Sequence, residues 1–147
     1  HKTVMKIWLA YKFRGADLVE LKIQLEELIK LLEASGHKVV TMLSDIQNWK
    51  PDSMPKVEAV RKAYVLYQEC DLALCIYSIS DPSEGRGWDA GYFAGMGKPT
   101  IMAIENSVSI PFTEALFLEN PANKKNNIPS IIRYNDFSEI ADALKHL

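Results

Sequence analysis

Metal and disulfide chemistry have little to work with in this chain. Its 147 residues include two cysteines, Cys70 and Cys75, and three scattered histidines, His1, His37 and His146. No CxxC pair and no Cys/His spacing of a zinc site occurs. Cys75 sits inside an apolar run and Cys70 just before it, so both read as buried thiols in a reducing cytoplasm. A basic excess is also missing: 17 Lys and Arg stand against 19 Asp and Glu, for a net charge of −2. That excludes a nucleic-acid polymer or an anionic membrane surface as the expected main partner. It does not exclude a small anion held by a few local cations. No apolar stretch reaches the ~18 residues of a membrane span, and no signal peptide is visible. Glycine is scarce too, and five of the seven fall in one stretch, "SEGRGWDAGYFAGMGKPT", residues 83–100.

What is present points to one domain with an ample core, since 48% of the residues are hydrophobic. Met5 is a candidate first residue, which would leave 1–4 outside the domain proper. "VMKIWLA", 4–10, reads as a buried strand. Leu18, Leu21, Leu25, Leu28 and Leu32 then recur at helical spacing. Asp17 is placed to cap that helix, Glu20 to complete a capping box and Gly36 to end it. "HKVVTML" predicts a second strand, followed by a polar loop. A second helix begins near 53–55, with Val57, Val60, Tyr64 and Tyr67 as its apolar stripe. The continuous run "DLALCIYS", 71–78, fits a strand covered on both faces. A third helix over 87–96 and a strand "PTIMAIE" follow. "FTEALFLE" predicts a short helix, "NPANKKNN" an exposed loop, "SIIRYN" a fifth strand, and "DFSEIADALKHL" a closing helix capped by Asp136. This alternation defines an α/β, Rossmann-like (flavodoxin-like) domain: a five-stranded, mainly parallel sheet with helices on both faces.

Such sheets bind ligands beyond the carboxyl ends of their strands, where the strand order switches. The loops there are "AYKFRG", "SDIQNW" and "SISDPSEGRGWDAG". "GRGWDAG" has the context of an anion-binding turn, a strand before it and a helix after it. It is not GxGxxG, because Gly91 comes one residue late after Gly85 and Gly87, so no dinucleotide cofactor is expected. "GKPT" lacks the spacing of a Walker lysine. Gly87, Gly91 and Gly95 recur every four residues, which suits close packing of the third helix on the sheet or on a partner helix. Asp89, inside this glycine cluster, is placed to meet a ligand.

"D71-L-A-L-C-I-Y", then "P82-S-E-G-R-G-W-D-A-G-Y" and "G95-M-G-K-P-T-I-M", resemble the nucleoside 2-deoxyribosyltransferase superfamily. The resemblance is nearest to the branch of (2′-deoxy)nucleoside 5′-monophosphate N-hydrolases and cytidylate N-glycosidases. It implies that the helix carboxylate, here Asp89, attacks the anomeric carbon and leaves a glycosyl ester. It implies that Asp71 contacts the base and assists its departure. Ser83, at a position that is Asp in the enzymes acting on free nucleosides, implies a 5′-phosphate substrate. Arg14 and Lys12, in "K12-F-R-G" before Ala16, imply the phosphate side of the site, with Gly15, Gly85 and Gly87 alongside. A neighbouring subunit often completes the site in this superfamily, and Asn127 falls near the place from which it does so. That implies a homodimer or higher oligomer. Tyr11 and Trp49 are candidates to stack on a base, Trp8 belongs rather to the core, and Trp88 and Tyr92 to a subunit contact. No metal is implied.

The chain departs from this pattern where the superfamily nucleophile is Glu and the chain has Asp89. The carboxylate is withdrawn by about 1.5 Å, one carbon–carbon bond. Misplacement on that scale can cost ~100-fold in rate. Glu84 is a poor substitute, and Arg86 is an extra cation beside the loop. The expected function is hydrolysis of the base–sugar bond of a nucleoside or deoxynucleoside 5′-monophosphate. Base exchange between deoxynucleosides is one alternative, against which Ser83 speaks. A nucleotide-binding module with a retired nucleophile is the other.

Overall fold

A computed structural model describes residues 4–11, 17–79 and 86–147. Five strands form its sheet: β1 (Lys6–Ala10), β2 (Lys38–Val40), β3 (Leu72–Tyr77), β4 (Thr100–Glu105) and β5 (Ile131–Tyr134). Their order is β2-β1-β3-β4-β5 and every pair is parallel. This is the flavodoxin-like order, with its switch point between β1 and β3. Parallel neighbours need crossovers, and these are α1 (Leu18–Ala34), α2 (Lys56–Glu69), α3 (Gly87–Gly95), and α4 (Pro111–Leu118) with α5 (Pro121–Lys125); α6 (Phe137–Leu144) closes the chain.

Side-chain alternation along the strands divides the core into two layers. Leu72, Leu74 and Ile76 of β3 pack with Leu21, Leu25, Leu28 and Leu32 of α1 and with Ile140 and Leu144 of α6. Ala73, Cys75 and Tyr77 face the other way, toward Ala59, Ala63 and Tyr67 of α2, Phe93 of α3 and Phe117 of α4. All six residues of β3 are buried, as its unbroken apolar run requires.

Local chemistry sets several boundaries. Asp17 caps α1, accepting from the Val19 and Glu20 amides, and Gly36 leaves the helix at φ 94°. Glu20 accepts from Gln24 one turn on. At α6 the capping box is complete, between Asp136 and Glu139. β2 is shorter than predicted. The Thr41 hydroxyl accepts from the Ser44 amide and Asp45 accepts from the Thr41 amide, turning Met42–Ile46 into a short π-helical turn. The stripe of α2 also differs: Val57 and Val60 are exposed, and the buried face is Ala59, Ala63 and Tyr67 at steps of four. The expected loop "NPANKKNN" contains α5, capped by Asn120 with Pro121 at its first position. Its Asn123 is buried and bridges Thr100 from both sides. It accepts from the Thr100 amide at 3.1 Å and donates to the Thr100 carbonyl at 2.8 Å.

The glycines of α3 do not pack closely within the chain. A Cβ at Gly87, Gly91 or Gly95 would meet nothing within 4 Å. Gly87 and Gly91 instead border a groove of about 250 Å³ against Phe112 and Leu116 of α4.

Two stability outcomes follow. Gly91→Ala should stabilise by about 0.5–1 kcal/mol, the usual helix preference for Ala, read by urea unfolding. A loss of stability would mean that the chain's own packing fills that space. Asn123→Ala should cost about 2–4 kcal/mol, because it strands the amide and carbonyl at the start of β4. A cost below about 1 kcal/mol would show that water replaces both bonds.

Candidate active site

β1 ends at Ala10 beside the switch point, and α3 begins at Gly87 beyond the carboxyl end of β3. Asp89, in the first turn of α3, reaches the crevice between them. It lines a cleft of about 90 Å³ with Trp8, Ala10 and Tyr11 of β1 and its exit, Leu25 of α1, and Thr41 and Met42 after β2. Asp89 is half-buried. The Tyr67 hydroxyl donates a short hydrogen bond to Asp89 Oδ1. The Trp8 indole nitrogen is buried and short of full hydrogen-bond geometry with any acceptor. It still lies near enough to Asp89 to favour the carboxylate.

These effects oppose one another. Burial raises the Asp89 pKa, while Tyr67 and Trp8 lower it, and burial wins, leaving the group above its ordinary 3.8. Burial and the Asp89 charge also push the Tyr67 phenol far up, so it remains a donor at any working pH. The Cys75 thiol is raised by burial, with Asp89 adding to the rise and Arg86 opposing it. Cys70, likewise buried, is pushed up to about 11. Both thiols are free.

The predicted site residues separate into groups. Asp89, Tyr11 and the first α3 residue, Gly87, lie at the carboxyl end of the sheet. Arg86 supplies no side-chain cap to α3. Tyr11 donates to Gln24 Oε1 at 3.3 Å. Lys12, Arg14, Gly15, Ser83, Gly85 and Glu84 lie outside the described residues.

Asp71 stands apart from the residues at the carboxyl end. It is exposed at the amino end of β3, roughly 20 Å from the other end of that six-residue strand at ~3.3 Å per residue. Its Oδ2 accepts from the Lys6 amide at 2.7 Å, and its own amide donates to the Lys6 carbonyl. Its carboxylate and that of Asp89 lie at opposite ends of the sheet within one chain. Asn127, with φ 54°, shares a cleft with Asp71 at that same far end. Neither joins Asp89 within one chain.

Arg86, the extra cation beside the loop, is buried, with its guanidinium 4.3 Å from the centre of the Tyr77 ring. Tyr92 stacks on Tyr64 at 5.1 Å, Trp88 is 66% exposed, and Trp49 lies under the Lys22 ammonium. Among the described residues, no cluster of three or more His, Cys, Asp or Glu could hold a metal ion, and no helix is long and apolar enough to cross a membrane.

The sequence missed two residues. Tyr67 was readable only as part of an apolar stripe, although a buried tyrosine does need a hydroxyl partner. Lys98 was readable only by what it is not. Its ammonium donates to the carbonyls of Tyr67, Gln68 and Cys70 at 3.1, 2.9 and 2.7 Å, capping the end of α2.

No protein-family model matches the chain, and no curated protein matches it. Solved structures do. The CMP N-glycosidase BcmB of Clostridium botulinum is 20% identical over 95% of this chain and 97% of that one, with a TM-score of 0.61. A 2-deoxyribosyltransferase of Bacillus psychrosaccharolyticus is 16% identical over 93% and 90%, with a TM-score of 0.62. BlsM is 18% identical over 97% and 88%, with a TM-score of 0.67. The chain therefore has the fold found in a CMP N-glycosidase and a 2-deoxyribosyltransferase, across nearly its full length.

The raised Asp89 has a sign that can be checked. Between 3.8 and its folded pKa, the folded protein holds a proton that the unfolded chain has released. Stability therefore falls as pH rises through that window and stays lower above it. Asp89→Asn removes this loss and should raise Tm more at pH 7 than at pH 4. An equal shift at both values would mean that Asp89 ionises as if in water.

Proposed function

We propose that the protein is an N-glycosidase that hydrolyses the base–sugar bond of a nucleoside or 2′-deoxynucleoside 5′-monophosphate. The carrying observation is the half-buried Asp89 carboxylate at the switch-point cleft, oriented by a buried phenol. Its oxygen attacks the anomeric carbon as the carbon–nitrogen bond breaks. The base leaves with the bonding electrons and takes up a proton, and a glycosyl ester remains on Asp89. Water then attacks the same carbon, releasing the sugar phosphate and restoring the carboxylate. Arg14, Lys12 and Ser83, with the first α3 amides near Gly87, are read as the phosphate side. The fold shared with a CMP N-glycosidase and a 2-deoxyribosyltransferase supports the reading at the level of class.

One observation favours a second reading, a nucleotide-binding module without chemistry. Among the described residues lining the cleft, Asp89 is the sole carboxylate, whereas glycoside hydrolysis usually employs two.

Incubation with a panel of ribo- and deoxyribonucleoside 5′-monophosphates separates the two, with free base followed by chromatography. The glycosidase reading expects release of base by the parent, and at least about 10³-fold less from Asp89→Ala. It also expects kcat/KM to decline at low pH with a midpoint above 3.8. Tight binding with every nucleotide left intact would establish the binding module instead.

A further inference from the structure

We propose that Tyr67 is the positioning residue of Asp89: its buried phenol fixes which carboxylate oxygen faces the cleft and favours the charged carboxylate over the neutral acid. This rests on the reading of Asp89 as nucleophile. Tyr67 is 3% exposed and its ring is held from two other elements. Trp8 of β1 meets it edge-on at 4.7 Å, and Phe93 and Tyr92 of α3 lie at 5.3 and 5.2 Å. Lys98 fixes the backbone at the same point through the Tyr67 carbonyl. The hydroxyl therefore has one place to donate, and Asp89 Oδ1 occupies it. Asp89 lines the cleft and Tyr67 does not. Oδ1 is thus the inner oxygen and Oδ2 the attacking one.

Aspartate has one side-chain torsion fewer than glutamate, so a single hydrogen bond suffices to orient it. When the glycosyl ester forms on Oδ2, Oδ1 becomes the ester carbonyl and continues to accept from Tyr67. When water displaces the sugar, the electron pair of the broken bond returns to the carboxylate. The same donor stabilises the charge that re-forms, and no proton leaves Tyr67. The charged or titratable groups around the pair are Tyr64 and Tyr92 beside Tyr67, Cys75 of β3, Arg86 ahead of α3 and Tyr11 after β1. Tyr92 stacks on Tyr64, Arg86 lies over the Tyr77 ring, and Tyr11 donates to Gln24. Tyr67 is the one whose hydroxyl lies on the carboxylate.

The test is a carboxyl-carbon NMR titration of Asp89 in the full chain, in the parent, Tyr67→Phe and Tyr64→Phe. Phenylalanine keeps the ring contacts and removes only the donor. The Asp89 midpoint should rise by about one pH unit in Tyr67→Phe and stay in place in Tyr64→Phe. In turnover, Tyr67→Phe should lower kcat by about 10- to 100-fold with little change in KM, and move the acidic limb upward. In the parent, the Tyr67 hydroxyl proton should give a slowly exchanging resonance that vanishes in Asp89→Ala, a readout that needs no Tyr67 variant. An unmoved midpoint, or a hydroxyl signal indifferent to Asp89, overturns the assignment even if base is released. A midpoint that moves while the parent releases no base leaves the Tyr67–Asp89 pairing intact and overturns the glycosidase reading.

Discussion

The all-parallel sheet is the constraint from which the rest follows. β3 is buried on both faces, so its neighbours must be reached by crossovers over one layer of helices or the other. Those crossovers begin at the carboxyl ends of the strands and return to the amino ends. Chemistry carried on loops after strands is gathered at one edge of the sheet, and residues that open strands are sent to the opposite edge. Asp89 and Tyr11 belong to the first group, Asp71 and Asn127 to the second. The separation is a matter of topology, and no side-chain rotamer can bridge a strand of six residues.

At the gathered end, the balance of forces on one carboxylate decides what it can do. Taking Asp89 partly out of water disfavours its charge, and the Tyr67 hydroxyl and the nearby Trp8 indole only partly offset that. A freely solvated aspartate would ionise more readily but would have no fixed direction. The aromatic cluster of Trp8, Tyr67, Tyr92 and Phe93 supplies that direction, and also the apolar surroundings that make the ionisation costly. Orientation and a raised pKa thus have one cause.

Much of the architecture could be read from periodicity. The leucines at steps of three and four gave α1, and the unbroken run after Asp71 gave the central strand. Elements set by local polar chemistry were harder to read. Thr41 and Asp45 end β2 early by hydrogen bonds that compete with the strand ladder, and apolar Met42 and Leu43 conceal this. Asn120 and Pro121 start a helix inside a stretch whose composition looks like loop. Asp89 stood out in the sequence because glycines surround it. Its partner did not, because Tyr67 comes from a different helix, and a tyrosine on an apolar stripe carries no mark of what its hydroxyl will meet. The distance between Asp71 and Asp89 was hidden for a related reason: a motif records order along the chain, and not which end of the sheet each residue reaches.

Lys98 makes the arrangement depend on a residue outside the cleft. Its ammonium ties the last carbonyls of α2 to the turn ahead of β4, and Tyr67 stands at that tie. Tyr67 is itself a member of the second core layer, packed with Trp8 and Phe93. The phenol therefore cannot leave Asp89 without opening that layer, and the direction of the carboxylate is as durable as the packing around the ring.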